Sequence, residues 1–182
     1  MEKRLNRREL LTLQLKEDIG TALLELMREK PFDKITVDDI SERANVGRAT
    51  YYRQFGSKQE VLTYWLRNHF LRYEKEHGLS FADMPVEEYA KAFFEYLLSM
   101  KDIHKMLIDS GCDGCIFEAM KPSFPDIDNI RDPKRYYLDY LRLYGLYGMI
   151  EGWIKAGYDL SPAQMSEYAC QWIIFKLQDA AE

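Results

Sequence analysis

Glycine and proline are scarce in this chain of 182 residues, at ten and six. Most sit where an amphipathic run would end, which disfavours a β-sandwich with its many tight turns. Cysteine is scarcer, at three. That is too few for a disulfide framework and fits a reducing cytoplasm. No stretch approaches the ~18 consecutive apolar residues of a membrane helix. The charged opening Met1–Arg8 has no apolar run behind it, so no secretion signal is expected. Also missing are a Gly-rich phosphate loop, metalloprotease histidine spacing and a nucleophile elbow. We therefore expect no enzyme, no catalytic residue, no cofactor and no metal ligand. With 47% hydrophobic and 30% charged residues, the chain is expected to build a packed core rather than remain disordered.

What is present reads as helices throughout. Leu15, Ile19, Ala22, Leu23, Leu26 and Met27 recur at helical spacing between Arg8 and Glu29. Pro31 stops that run. Thr36 has the position of an N-cap, with Asp38 and Asp39 in the first turn where acids suit the helix dipole. Val37, Ile40 and Ala44 make one short stripe, and Asn45 suits a left-handed turn. A third helix is expected from about Gly47 to Gln54, and a long fourth one capped by Ser57. Pro85 opens a run from Val86 to Met100, followed by another from Asp102 to about Met120. Asp132-Pro133 opens a long helix to about Ala156, and Ser161-Pro162-Ala163-Gln164 is a capping box for the last helix, to about Asp179. The expected fold class is all-α. An N-terminal helical domain would span 1–56, a connecting helix 57–77, and a larger C-terminal helical domain 78–182.

Charge is unevenly spread: residues 1–60 sum to +1 and residues 61–182 to −6. Between Arg43 and Lys58 the only charges are Arg43, Arg48, Arg53 and Lys58. A polyanion responds to the surface it meets, because salt screens charges beyond ~10 Å at 0.1 M. Two short helices joined by a tight turn make a helix-turn-helix, whose second helix enters the major groove. Tyr51 and Phe55, four apart, should share the buried face. Arg48, Thr50, Tyr52 and Gln54 then project outward, the side-chain types that meet guanine, phosphate, thymine methyl and adenine. Lys58 and the free amides at the start of the fourth helix could hold a phosphate.

Ile35-Thr36-Val37, Ile40, Ala44, Val46, Thr50, Tyr51-Tyr52, Phe55 and Ser57-Lys58 stand in an order and spacing that resembles the TetR/AcrR family of bacterial transcriptional regulators. The resemblance covers roughly residues 10 to 66. It implies that Thr50, Tyr52 and Lys58 contact DNA, with Arg48 and Gln54 at base-reading positions. The full expected DNA-binding set is Thr36, Gly47, Arg48, Thr50, Tyr52, Arg53, Gln54 and Lys58. Asn45 replaces the usual turn glycine, and Gly47 replaces the usual Ser or Thr near the start of the recognition helix. The family also implies a homodimer, a double-stranded DNA operator, and a small-molecule effector bound in the C-terminal half. A repressor released from a palindromic operator is the expected function, with the fourth helix as the lever.

The C-terminal half is rich in aromatics and methionine. Phe93, Leu97, Met100, Met106, Cys112, Phe117, Met120, Tyr137, Tyr140 and Tyr144 are candidate pocket residues, since drug-sized sites are largely apolar with a few polar handles. The alternative for the tyrosine stripe is bundle core. Ile150, Trp153, Met165, Tyr168, Ala169, Trp172 and Ile173 are candidates for a dimer interface. Gly145, Gly148 and Gly152 share one helix face and suggest a close helix crossing, either within the subunit or at a dimer. Cys112-Asp113-Gly114-Cys115 has the spacing of a redox pair or half a zinc site. The alternatives are two small core residues or a thiol or metal sensor.

Overall fold

Local signals set most of the helix ends in the computed structural model, which describes residues 6–123 and 132–171. Helix α1 (Arg7–Glu29) starts at Asn6, whose side chain accepts from the Glu9 amide in a reciprocal capping box. A short 3-10 turn, Phe32–Lys34, leads into α2 (Val37–Arg43). Then follow α3 (Arg48–Gln54), α4 (Lys58–His77), α5 (Val86–Ser99), α6 (Lys101–Asp109), α7 (Gly114–Met120), α8 (Pro133–Lys155) and α9 (Pro162–Ala169). Asp132 caps α8, and Ser161 with Gln164 forms the expected capping box of α9. Among the described residues there is no strand, and the fold is all-α: an N-terminal helix-turn-helix and a larger C-terminal helical part.

One expectation fails. The apolar run from Asp102 to Met120 is two helices, not one. Gly111 takes a left-handed φ of 65°, and the Cys112 amide donates to the Leu107 carbonyl at 2.8 Å. Glycine adopts that conformation freely, and the bond closes the end of α6. The expected course of the last helix beyond Cys170 lies outside the described residues.

Two compact units result. The first joins Met1–His69 with Met106–Ala119, so the end of α6 and most of α7 cluster with the N-terminal helices. Its core holds Ile19, Leu23, Ile40, Tyr51, Val61, Leu62 and Leu107, all buried. The second joins Phe70–Lys105 with Met120–Glu182. Its core includes Phe94, Leu143, Ile150 and Trp153, and α5 packs on α9, where the Ser166 hydroxyl donates to the Glu87 carbonyl at 3.2 Å.

Candidate nucleic-acid interface

The helix-turn-helix is fixed by two local devices. At the start of α2, Thr36 Oγ1 accepts from the Asp39 amide at 3.1 Å, while the Thr36 amide donates to Asp39 Oδ2 at 2.7 Å. Lys30 Nζ pairs with Asp39 Oδ1 at 2.7 Å. That ammonium and the Thr36 donors hold the Asp39 carboxyl well below the usual carboxylate range. In the turn, Asn45 adopts a left-handed φ of 52°, and the Val46 amide reaches the Ser41 carbonyl at 2.9 Å. At the start of α3, Gly47 serves as N-cap with no side-chain bond. This is the consequence of the missing hydroxyl noted in the sequence.

Helix α3 then divides its residues by face. Tyr51 and Phe55 are buried and engage each other and Tyr64, with ring centroids 6.2 and 5.6 Å apart. Burial pushes the Tyr51 phenol up to about 12. Tyr52 is 56% exposed, set edge-on to Tyr51 at 5.5 Å. Gly47, Arg48 and Arg53 are exposed, and Thr50 and Gln54 half-buried. Arg48 Nε meets Asp38 Oδ1 at 2.9 Å, an exposed pair that competes weakly with a phosphate. Arg53 makes one bond, to Thr50 Oγ1 at 3.4 Å.

Two expected contact residues are occupied within the domain. The Thr36 side chain is the α2 cap. Lys58 Nζ donates to the Phe32 carbonyl and, at 2.7 Å, to the Ile35 carbonyl. It also lies 4.3 Å from the centroid of the Phe32 ring. Its ammonium bonds two carbonyls of the turn before α2, so it anchors that turn to α4.

Beside the end of α3 lies a groove of about 380 Å³, lined by Arg8, Leu11, Thr12 and Leu15 of α1 and by Arg53 and Gln54. Sequence reasoning left Leu11, Thr12 and Leu15 out of the site. The spacing 8, 11, 12, 15 does mark one helix face, but nothing in it points at α3.

The expected pocket residues do not gather in one unit. Met106, Cys112 and Phe117 belong to the first, the others to the second. Leu97, Met100 and Cys112 are buried, and Phe93, Met106, Phe117, Met120 and Tyr140 half-buried. Tyr137 and Tyr144, however, are 71% and 53% exposed. Conversely Ile150, Trp153, Met165 and Ala169, expected at a dimer interface, are buried inside the subunit. Only Tyr168 of that set is exposed; Trp172 and Ile173 lie outside the described residues. The outward apolar face of α8 is instead Tyr137, Leu141, Tyr144, Gly148 and Gly152, all exposed. Leu141 was missed because α8 is apolar on every side, which erases the periodicity that would orient it. Among the described residues nothing outside the helix's own backbone lies within 4 Å of a β-carbon placed on Gly148 or Gly152.

Cys112 and Cys115 are buried free thiols. Desolvation pushes Cys112 up to about 11 and raises Cys115 as well. A thiolate, the reactive form, is thus disfavoured at both. Among the described residues no group of three or more His, Cys, Asp or Glu could hold a metal ion, and no helix is long and apolar enough to cross a membrane.

The comparisons agree with this geometry. Residues 19–64 match the family model described as bacterial regulatory proteins, tetR family. A stretch of 44 residues is 46% identical to an uncharacterised HTH-type transcriptional regulator, YdeS, of Bacillus subtilis (strain 168), covering 24% of this chain and 22% of that protein. The fold is similar to that of a TetR transcriptional regulator from Rhodococcus sp. RHA1, with TM-score 0.53 and 18% identity over 90% of this chain and 98% of the other. It is also similar to the fatty acid degradation regulator FadR from Bacillus halodurans, with TM-score 0.51 and 14% identity over 97% and 99% of the two chains. Residues 19–64 thus resemble the tetR family of bacterial regulatory proteins, and the chain matches about a fifth of the length of its curated relative.

Proposed function

We propose that the chain is a DNA-binding transcriptional regulator, a repressor that acts as a homodimer on a palindromic operator in the cytoplasm and is released by a small-molecule effector held in the second unit. The observation that carries the reading is the partition of α3. Tyr51 and Phe55 are spent on the core, while Arg48, Tyr52, Arg53 and Gln54 stand clear of it. A helix so anchored presents a rigid polar face of a width that enters a ~12 Å major groove. Arg and Gln meet base edges bidentately, and Tyr52 meets a phosphate or a thymine methyl.

Two such helices one turn of DNA apart need a dimer, and half-sites related by a two-fold axis follow from it. The exposed stripe Tyr137-Leu141-Tyr144-Gly148-Gly152 on α8 supports that reading. Small residues in an apolar face let a second helix approach closely. Release then requires an effector that binds one dimer geometry better than the other, because equal affinity shifts nothing. Buried thiols of raised pKa favour an effector-binding regulator over a thiol sensor.

The test is a footprint of the full chain on the DNA flanking its own gene, with the Tyr52→Ala variant alongside. Tyr52 is exposed, so its loss leaves the fold intact. The expected result is a symmetric protected site for the wild type and at least tenfold weaker protection for the variant. Equal protection by both proteins would overturn the assignment of α3 as the reading helix.

A further inference from the structure

The cations of the first unit fall into two groups. Most are already engaged. Arg43 meets Glu25 and Glu29 at 3.4 and 2.8 Å, Lys30 meets Asp39, and Lys34 meets Asp33 at 3.2 Å. Arg48 meets Asp38, Lys58 is held by two carbonyls, and Lys16 lies 5.5 and 4.9 Å from the rings of Phe55 and Tyr64. Two stand apart. Among the described residues the guanidinium of Arg8 meets no acid, and that of Arg53 meets only the Thr50 hydroxyl, at 3.4 Å.

These two guanidinium groups line the same groove. Arg8 comes from the first turn of α1, Arg53 from the last turn of α3. No acid lines it. Its other walls are Thr12 and Gln54, and its apolar sides are Leu11 and Leu15, of which Leu11 is 62% exposed. Two guanidinium groups without an acid partner, over an apolar wall, suit an anion carried on an apolar frame. A phosphodiester with its deoxyribose is that ligand, and guanidinium matches phosphate oxygens bidentately. The groove is also continuous with the proposed reading face, because Arg53 and Gln54 belong to both. Local order favours the same arrangement. Asn6 caps α1 one residue before Arg7, and Thr12 Oγ1 donates to the Arg8 carbonyl at 2.9 Å. Arg8 is therefore held on a formed helical turn.

We propose that the groove between α1 and the end of α3 binds a DNA backbone phosphate, clamped by Arg8 and Arg53. The first turns of α1 are thus part of the DNA interface. This rests on the DNA-binding reading above, and it adds residues that position the protein on the duplex without reading sequence.

The test is the salt dependence of binding of the full chain to a fluorescein-labelled duplex of mixed sequence, by anisotropy, over a series of KCl concentrations. Each phosphate contact contributes about 0.9 to the slope of log affinity against log salt. Arg8→Ala should lower that slope by about 0.9 and weaken binding several-fold. Arg8→Lys should retain most of the slope, because the charge remains. Lys91→Ala, at an exposed ion pair of the second unit, should match the wild type. Circular dichroism of each variant checks that the helices are intact. If Arg8→Ala keeps the wild-type slope and affinity, the groove is not a phosphate site. If the wild type itself shows no salt-dependent affinity, the DNA-binding reading falls first and the groove proposal with it.

Discussion

A β-carbon placed on Gly20 would stand 2.5 Å from Cδ1 of Trp65 and 2.9 Å from its Cβ. Gly20 is buried within α1, and Trp65 of α4 lies across it, its Nε1 donating to Thr21 Oγ1 at 3.3 Å and its ring stacked on His69 at 4.7 Å. The backbone of α1 thus forms the seat of the indole. Glycine inside a helix costs about 1 kcal/mol against alanine, and here that cost is offset by the close crossing. Gly20→Ala should therefore destabilise the chain, by about 1–3 kcal/mol as in other overpacked cores, despite the better helix propensity. Urea unfolding measures it. A raised midpoint would mean that the crossing has room to spare.

Thr36 and Asp39 cap each other, so Thr36→Ala removes a cap and leaves α2 with open amides. A loss of about 1 kcal/mol is expected, and Thr36→Ser should restore most of it. If Thr36 acts mainly on DNA instead, the alanine variant would lose duplex affinity with its melting temperature unchanged.

His104 is buried in the second unit, its Nδ1 2.9 Å from the Tyr158 hydroxyl. Desolvation lowers it to about 4, partly opposed by a bond with the Leu97 backbone. The unfolded chain, with an ordinary histidine near 6.5, then takes up the proton first as pH falls. The stability contribution is complete above that value and is lost progressively between pH 6.5 and 4. The expected slope approaches about 1.4 kcal/mol per pH unit. His104→Gln should remove that slope from the denaturation midpoints while leaving the carboxylate contribution. Parallel pH profiles for both proteins would contradict the assignment.

Leu141 is 55% exposed in the middle of the outward stripe of α8. Sedimentation at micromolar concentration should find a dimer for the wild type and a monomer for Leu141→Glu, because a charge buried without a partner is strongly disfavoured. Helix content should not change. A wild-type monomer would remove the dimer from the proposed function.

Local chemistry was readable where one side of a helix differs sharply from the other. Tyr51 and Phe55 against Tyr52 and Arg53 is such a case, and so are the Thr36 and Ser161 caps and the Asn45 turn. It was unreadable in α8, where Tyr137, Leu141 and Tyr144 are as apolar as Ile150 and Trp153. There the sequence view put exposed tyrosines in a pocket and core residues on an interface. A close crossing is found at Gly20, which spacing within α1 does not single out until Trp65 lies over it.

The amino-acid order alone determined most of the helices, their caps and the outward face of α3, because those rest on bonds and contrasts within about one turn. Only the tertiary structure decided that Lys58 turns inward to the Phe32 and Ile35 carbonyls, that Arg8 joins Arg53 at one groove, and which side of α8 looks outward. Each of these depends on which distant segment happens to lie alongside, and spacing within a single helix carries no information about its neighbour.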